Sequence, residues 1–167
     1  KNPKAFKSNL KKLKRLQRSL SRKKKDGSNR YKAQMKVAKK HYKILCIRKN
    51  AIHQATAEIV KNYDRIVIED LNVKGMIKNR KLSQAISDVS FGEIRRQLEY
   101  KTKWYGKELF IADRFFPSSK KCSSCGNKKE KLKLSERIYK CENCGFELDR
   151  DLNAAINLAN YSPTDKL

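Results

Sequence analysis

Apolar side chains recur every three or four residues at the start of the chain, at Phe6, Leu10, Leu13, Leu16 and Leu20, with lysines and arginines between them. That period marks one face of an amphipathic helix. The run Lys23-Lys24-Lys25-Asp26-Gly27-Ser28-Asn29 interrupts it with charge, glycine and turn formers. A second stripe, Tyr31, Met35, Ala38, Tyr42, Leu45, Ile52 and Ile59, continues to about Lys61 and predicts a second helix. Together they predict a long antiparallel hairpin, apolar inside and basic outside.

The pattern then changes. Asn62-Tyr63-Asp64 punctuates, and Arg65-Ile66-Val67-Ile68-Glu69 is a short β-branched run that predicts a buried central strand. Glu69 falls at the C-terminal end of that strand, where α/β sheets place their ligands. Residues 73–81 hold Gly75 and four basic residues and predict a loop. Ser90-Phe91-Gly92 leads into a helix from about Glu93 to Tyr105, with Ile94, Leu98, Lys101 and Tyr105 on one side. Residues 108–113 predict a second strand, and Asp113 at its end is read as structural. A further helix is predicted in "DRDLNAAINLANY" (149–161).

Charge changes the picture of the hairpin. The 167 residues carry a formal net charge of +25, and the first 50 hold 20 Lys and Arg against one acid, Asp26. A field of that density is the footprint of a polyanion partner, and DNA and RNA are the expected ones. A solvated scaffold helix is the bland alternative, but the regular apolar period argues against a disordered tail. No stretch has the length of a membrane span, so no membrane role is expected.

The five cysteines refine this further. Four form Cys122-x-x-Cys125 and Cys141-x-x-Cys144, fifteen residues apart, and Cys46 stands alone. The lone thiol argues against a secreted disulfide framework and for a reducing cytoplasm, and its apolar surroundings predict a buried side chain. Two such pairs suit one tetrahedral Zn²⁺ held by four thiolates, with Gly126 and Gly145 permitting the tight turns under the metal. Four protein ligands leave no open position, so this zinc is structural.

Asp149 and Asp151 are then surplus to the zinc. An Asp there is a good helix N-cap, which explains one of the two. In helical register Asp149 aligns with Asn153, Asn157 and Asn160, whereas Asp151 aligns with Ala154, Ala155 and Leu158, the expected packed face. A carboxylate on a packed face needs a partner, and Glu69 is the best candidate. Two carboxylates brought together repel unless a cation bridges them, and Mg²⁺ suits carboxylate oxygen.

Three segments, "RIVIEDLNVKGM" (65–76), "FPSSKKCSSCG" (116–126) and "CENCGFELDRDLNAAINLANY" (141–161), resemble in this order the C-terminal half of the TnpB/OrfB proteins of insertion-sequence transposons. That family is similar to the type V CRISPR effector nucleases. The resemblance implies an α/β fold: a partial RNase H-like (RuvC) domain with a long basic helical hairpin and an inserted zinc ribbon. It implies the hairpin at 1–61, a strand–helix–strand core at 62–116, the ribbon at 117–148, and a C-terminal helix and tail at 149–167. By motif position, Glu69 falls on the second catalytic acid and Asp151 on the third, both as Mg²⁺ ligands. Cys122, Cys125, Cys141 and Cys144 fall on the zinc ligands, and Asp149 precedes the catalytic position as a cap.

The implied function is the C-terminal part of a transposon-encoded, RNA-guided DNA endonuclease that binds DNA and a guide RNA. Lys23, Lys24, Lys25, Lys74, Lys78, Arg80, Arg95 and Arg96 are candidates for phosphate contacts. The chain departs from the family in one respect. Only Asp26 precedes Glu58, and it lies in the hairpin loop, so the first catalytic Asp and several strands of the expected core are missing. The alternative is a non-catalytic zinc-ribbon protein that binds nucleic acid.

Overall fold

In the computed structural model, which describes residues 3–133 and 135–162, the chain forms two compact units. The first comprises Lys1–Asn62 and Val73–Lys101, and the second Tyr63–Asn72 and Thr102–Leu167. The tail expected beyond Ser162 lies outside the described residues. No helix among the described residues is long and apolar enough to cross a membrane.

The first unit is helical. α1 (Ala5–Ser21) and α2 (Ser28–Asn62) make the hairpin, turning at residues 22–27 through Asp26 in the left-handed region, a conformation that Asp tolerates. Ala5, Leu13 and Ile44 form its core, with Phe6, Val37 and Ile47 packed around them. The stripe expected on α1 is therefore the one buried, but on α2 the register is different. Ala33, Ile44, Ile52, Thr56 and Val60 are buried, while Tyr31, Met35, Tyr42 and Leu45 are exposed. α2 carries two apolar stripes, and the one with Val37, Ile44 and Ile47 faces α1. Cys46 lies on the exposed side too, which corrects its expected burial.

Residues 73–81 are not all loop. α3 (Val73–Lys78) and α4 (Ser83–Val89) occupy the span up to the left-handed Ser90, so Gly75 sits within a helical turn. Buried Asp88 on α4 accepts the Phe6 backbone N–H at 3.1 Å and pairs with Arg48 at 3.2 Å, tying α4 to both hairpin helices. α5 (Phe91–Trp104) follows the expected span closely. Its inner face is polar as well as apolar. Gln97, fully buried, accepts the Thr56 hydroxyl, and the Lys101 ammonium donates to Thr56 Oγ1 and to the His53 carbonyl, both at 2.8 Å. Burial lowers the Lys101 pKa.

The second unit holds the sheets. β1 (Arg65–Glu69) and β2 (Glu108–Ala112) pair in parallel, Glu69 opposite Ala112. Among the described residues β1 has no other strand partner, and only Ile66 of its apolar run is fully buried. The expected fully buried strand is thus half-covered, with Glu69 exposed. β3 (Ile138–Lys140) and β4 (Glu147–Asp149) form an antiparallel ribbon, and α6 (Arg150–Ala159) leaves β4 directly and packs on β1. The Arg65 guanidinium donates to the Ala159 and Tyr161 carbonyls, satisfying oxygens that the helix end leaves open.

Candidate metal centre and acidic edge

The four cysteine sulfurs converge. Cys122 Sγ lies 3.8 Å from Cys144 Sγ, Cys125 Sγ lies 3.6 Å from Cys141 Sγ, and all four fall within 4.8 Å of one another. A Zn–S distance of about 2.3 Å in a tetrahedron requires sulfurs roughly 3.8 Å apart, so the donor set fits Zn²⁺. The two knuckles are built alike. In the first, Gly126 N donates to Cys122 O and Cys122 N to Asn127 O; in the second, Gly145 N donates to Cys141 O and Cys141 N to Phe146 O. Each turn closes through its glycine at positive φ, 77° and 71°, where a side chain would be strained.

Beneath the sulfurs, Tyr139 is completely buried against Cys122 and Cys141, with Leu132 and Phe146 around them. Burial and the neighbouring sulfurs push its phenol up to about 12. The thiols titrate together: the Asn127 N–H and a second sulfur lower Cys125 to about 6. Cys144 accepts the Phe146 N–H, which lowers it, but the surrounding sulfurs outweigh that and raise it to about 12.

Glu69 ends β1 at the solvent edge. Its Oε1 accepts the hydroxyl of buried Ser118 at 2.7 Å, and neighbouring Asp70 pairs with Arg114 at 2.6 Å. Asp149 is the N-cap of α6, its Oδ1 accepting Asp151 N at 2.9 Å and Leu152 N at 3.0 Å. Asp151 sits in the first turn with its side chain 79% exposed.

α6 therefore packs through a different face from the one its helical register predicts. The packed face carries Asn153 and Asn157, not Asp151. Each asparagine meets open backbone groups at the root of the ribbon: both donate to Lys121 O, Asn153 also accepts Ser123 N, and Asn157 also donates to Ser118 O. Amide side chains satisfy those carbonyls, which alanine and leucine cannot do. Their i, i+4 spacing on an otherwise apolar helix was the available signal, and sequence reasoning placed it on the wrong side. Ser118 gave no signal beyond its place in "FPSSKKC". Among the described residues no three carboxylates cluster as metal ligands.

The basic candidates divide. Lys23, Lys24 and Lys25 lie in the exposed hairpin turn, and Lys74, Lys78 and Arg80 are exposed on and after α3. Arg95 pairs with Glu99 and Arg96 with Glu93 along α5, the latter pairing with the Gln97 amide to hold Glu93 down to about 2.

Residues 1–80 match a family model described as "Probable transposase" (OrfB of IS605), and residues 91–158 match the "Cas12f1-like, TNB domain". A protein of Streptomyces pristinaespiralis, "Putative RNA-guided DNA endonuclease", is 45% identical over 94% of this chain and 39% of its own length. The chain belongs to the TnpB/OrfB family. The Escherichia coli K12 relative InsQ, named likewise, is 35% identical over 92% of this chain and 42% of its own length. The chain thus spans about two fifths of these relatives. The fold resembles a chain from a cryo-EM structure of a Cas12f1–sgRNA–target DNA complex, with TM-score 0.65 and 23% identity over 98% of this chain and 43% of that one.

Proposed function

We propose that this TnpB/OrfB chain is the C-terminal portion of an RNA-guided DNA endonuclease, in which Glu69 and Asp151 are two of three catalytic carboxylates on a RuvC-type sheet. The observation that carries this reading is the placement of Glu69: an exposed acid at the C-terminal edge of a parallel strand, hydrogen-bonded by a buried hydroxyl. The motif positions of Glu69 and Asp151, and the names of the relatives, support it. β1 pairs with β2 on one edge only among the described residues, and an open second edge suits a wider sheet of the RNase H-like kind. In this reading the hairpin, the strand–helix–strand core, the ribbon and the final helix keep the boundaries expected from the sequence.

Two metal-bound functions follow from the donors. Cys122, Cys125, Cys141 and Cys144 hold a structural zinc. Glu69 and Asp151 offer the hard oxygen donors that suit Mg²⁺, which when bound activates water and stabilises the leaving oxygen in phosphodiester hydrolysis. Two carboxylates do not complete such a site, so the third comes from outside these 167 residues. The chain's own residues orient the acids: Ser118 restrains Glu69, and the Asp149 cap sets the first turn that carries Asp151. The basic hairpin supplies phosphate-binding charge, while pairing with a guide selects the sequence.

The test is a chimera in which these residues replace the matching segment of the Streptomyces pristinaespiralis relative. Mg²⁺-dependent cleavage of guide-matched DNA is expected, abolished by Glu69→Ala or Asp151→Ala without loss of zinc. A cleaving chimera indifferent to both substitutions refutes the assignment. A chimera that binds guide and target with zinc in place but never cleaves, where the parent does, favours the non-catalytic alternative.

A further inference from the structure

The hydroxyl on Glu69 belongs to a built network, not to a mobile surface residue. Ser118 is 6% exposed, and its backbone is fixed on both sides. Its N–H donates to Phe116 O, and its carbonyl accepts the Asn157 amide at 2.8 Å. The turn it occupies is closed by Lys120 N and Lys121 N, both donating to Pro117 O at 3.0 Å. Asn157 also holds Lys121 O at 2.7 Å, and Asn153, completely buried, holds the same carbonyl at 2.8 Å and accepts Ser123 N at 3.0 Å. Lys121 and Ser123 flank Cys122, the first zinc ligand. One chain of hydrogen bonds therefore joins the end of β1, the root of the ribbon and the face of α6.

The bond gives the buried Ser118 hydroxyl the partner it needs, but an exposed carboxylate gains little stability from it and loses side-chain freedom. Glu69 in water would be fully solvated without Ser118. What the bond does is restrict the Glu69 side chain and occupy one lone pair of Oε1, which leaves acceptor capacity on an exposed carboxylate for another ligand. Outer partners of this kind orient metal-binding carboxylates.

We propose that Ser118 is a positioning residue for Glu69, and that Asn157 and Asn153 hold Ser118 so that the zinc-ribbon root fixes the rotamer of the acid. This rests on the reading of Glu69 as a divalent-metal ligand. Ser118 acts through Glu69 and does not touch the metal or the DNA.

The experiment is Mn²⁺ titration by electron paramagnetic resonance of the same zinc-loaded chimera, the unsubstituted chimera serving as wild type, with zinc content and thermal midpoint measured on every variant. Glu69→Gln is expected to remove the site seen in the wild type. Ser118→Ala is expected to weaken Mn²⁺ binding about 10- to 100-fold, the usual effect of losing an outer partner, with zinc retained. Ser118→Thr, which keeps the hydroxyl, is expected to restore it. If Ser118→Ala binds Mn²⁺ like the wild type while Glu69→Gln does not, the positioning role is wrong and the metal reading stands. If Glu69→Gln changes nothing, or the wild type binds no Mn²⁺, the metal reading fails and this inference falls with it. Should Ser118→Ala lose zinc or melt early, a folded Ser118→Thr variant decides. Wild-type affinity supports the proposal, and weakened affinity overturns it.

Discussion

Tyr139→Phe removes one oxygen from the centre of the ribbon, and its consequence changes sign with pH. At neutral pH the phenol donates to Lys120 O at 3.2 Å, but that carbonyl also accepts Lys129 N at 2.9 Å. Deleting the hydroxyl therefore orphans nothing, and the cost lies near the low end for a neutral hydrogen bond, roughly 0.5–1 kcal/mol. In alkali the balance reverses. Burial, with the sulfurs adding to it, raises the phenol from 10.0 to about 12. The folded state thus favours the neutral form. The stability this gives is complete below the unfolded value and is lost as pH rises through the folded one. With the sulfurs bound to zinc their charge contributes little and burial alone sustains the shift, so the loss amounts to at most about 2–3 kcal/mol. The Phe variant has no such loss. Urea unfolding of the zinc-loaded ribbon at several pH values is expected to show wild type ahead at about pH 8 and behind at about pH 12. A stability difference that stays constant over that range, or a Tyr139 that titrates like a tyrosine in water, refutes the reasoning.

The cysteine tetrad is expected to bind one Zn²⁺ per chain, and Cys122→Ala or Cys144→Ala to lose it and unfold residues 117–148, as metal analysis and proteolysis would show; zinc retained by both variants contradicts the ribbon. Binding of that zinc is expected to weaken in acid, because the thiolates must lose their protons to bind. Nucleic-acid affinity is expected to fall steeply with salt, and replacing Lys23, Lys24 and Lys25 by Gln to flatten the slope by up to about 0.9 per lost phosphate contact. An unchanged slope means the turn touches no phosphate. Asp149→Ala is expected to cost about 1 kcal/mol and Asp149→Asn clearly less, since Asn also caps; equal losses in chemical denaturation would mean that charge, not hydrogen bonding to Asp151 N and Leu152 N, matters there.

Much of the second unit was legible because its signals are local. A β-branched run gave β1, a similar run gave β2, and the spacing of the cysteines with their trailing glycines gave the knuckles. The failures share a cause: each depended on what the other side of an interface offered. α2 has two apolar stripes, and the one with Val37, Ile44 and Ile47 packs against Ala5, Phe6 and Leu13 of α1, a choice that depends on what α1 presents. On α6 the hydrophobic rule pointed to the alanines, yet the surface it meets is a loop with open carbonyls. Asparagines win there because an unsatisfied carbonyl costs more than an exposed alanine. Gly75 and the basic residues argue for a loop at 73–81, yet Gly75 weakens a helix by only about 1 kcal/mol, too little to forbid the turn that Val73–Lys78 forms. Asp151's exposure removes the register reason for pairing it with Glu69, which leaves motif position for Asp151, and motif position with the strand-end placement for Glu69.

The exposure of both acids follows from their setting. A carboxylate sealed in the packed face of α6 would need its charge compensated inside the protein, and the buried neighbours on that face, Asn153 and Asn157, are neutral. At the surface the charge is solvated at little cost, so the requirement shifts from compensation to orientation. That requirement falls to the ribbon root. The ribbon's own core is Tyr139 and a few partners, too small to be rigid by hydrophobic burial alone. A four-thiolate zinc supplies on the order of 10–16 kcal/mol of binding energy, which is folding energy for such a unit. Lys121 and Ser123, held by Asn153 and Asn157, flank the first ligand, and Ser118 lies four residues before it. On the proposed reading, a bound zinc that performs no chemistry would act on the chemistry through geometry. Its free energy would fix the loop, the loop a hydroxyl, and the hydroxyl one carboxylate at the sheet edge.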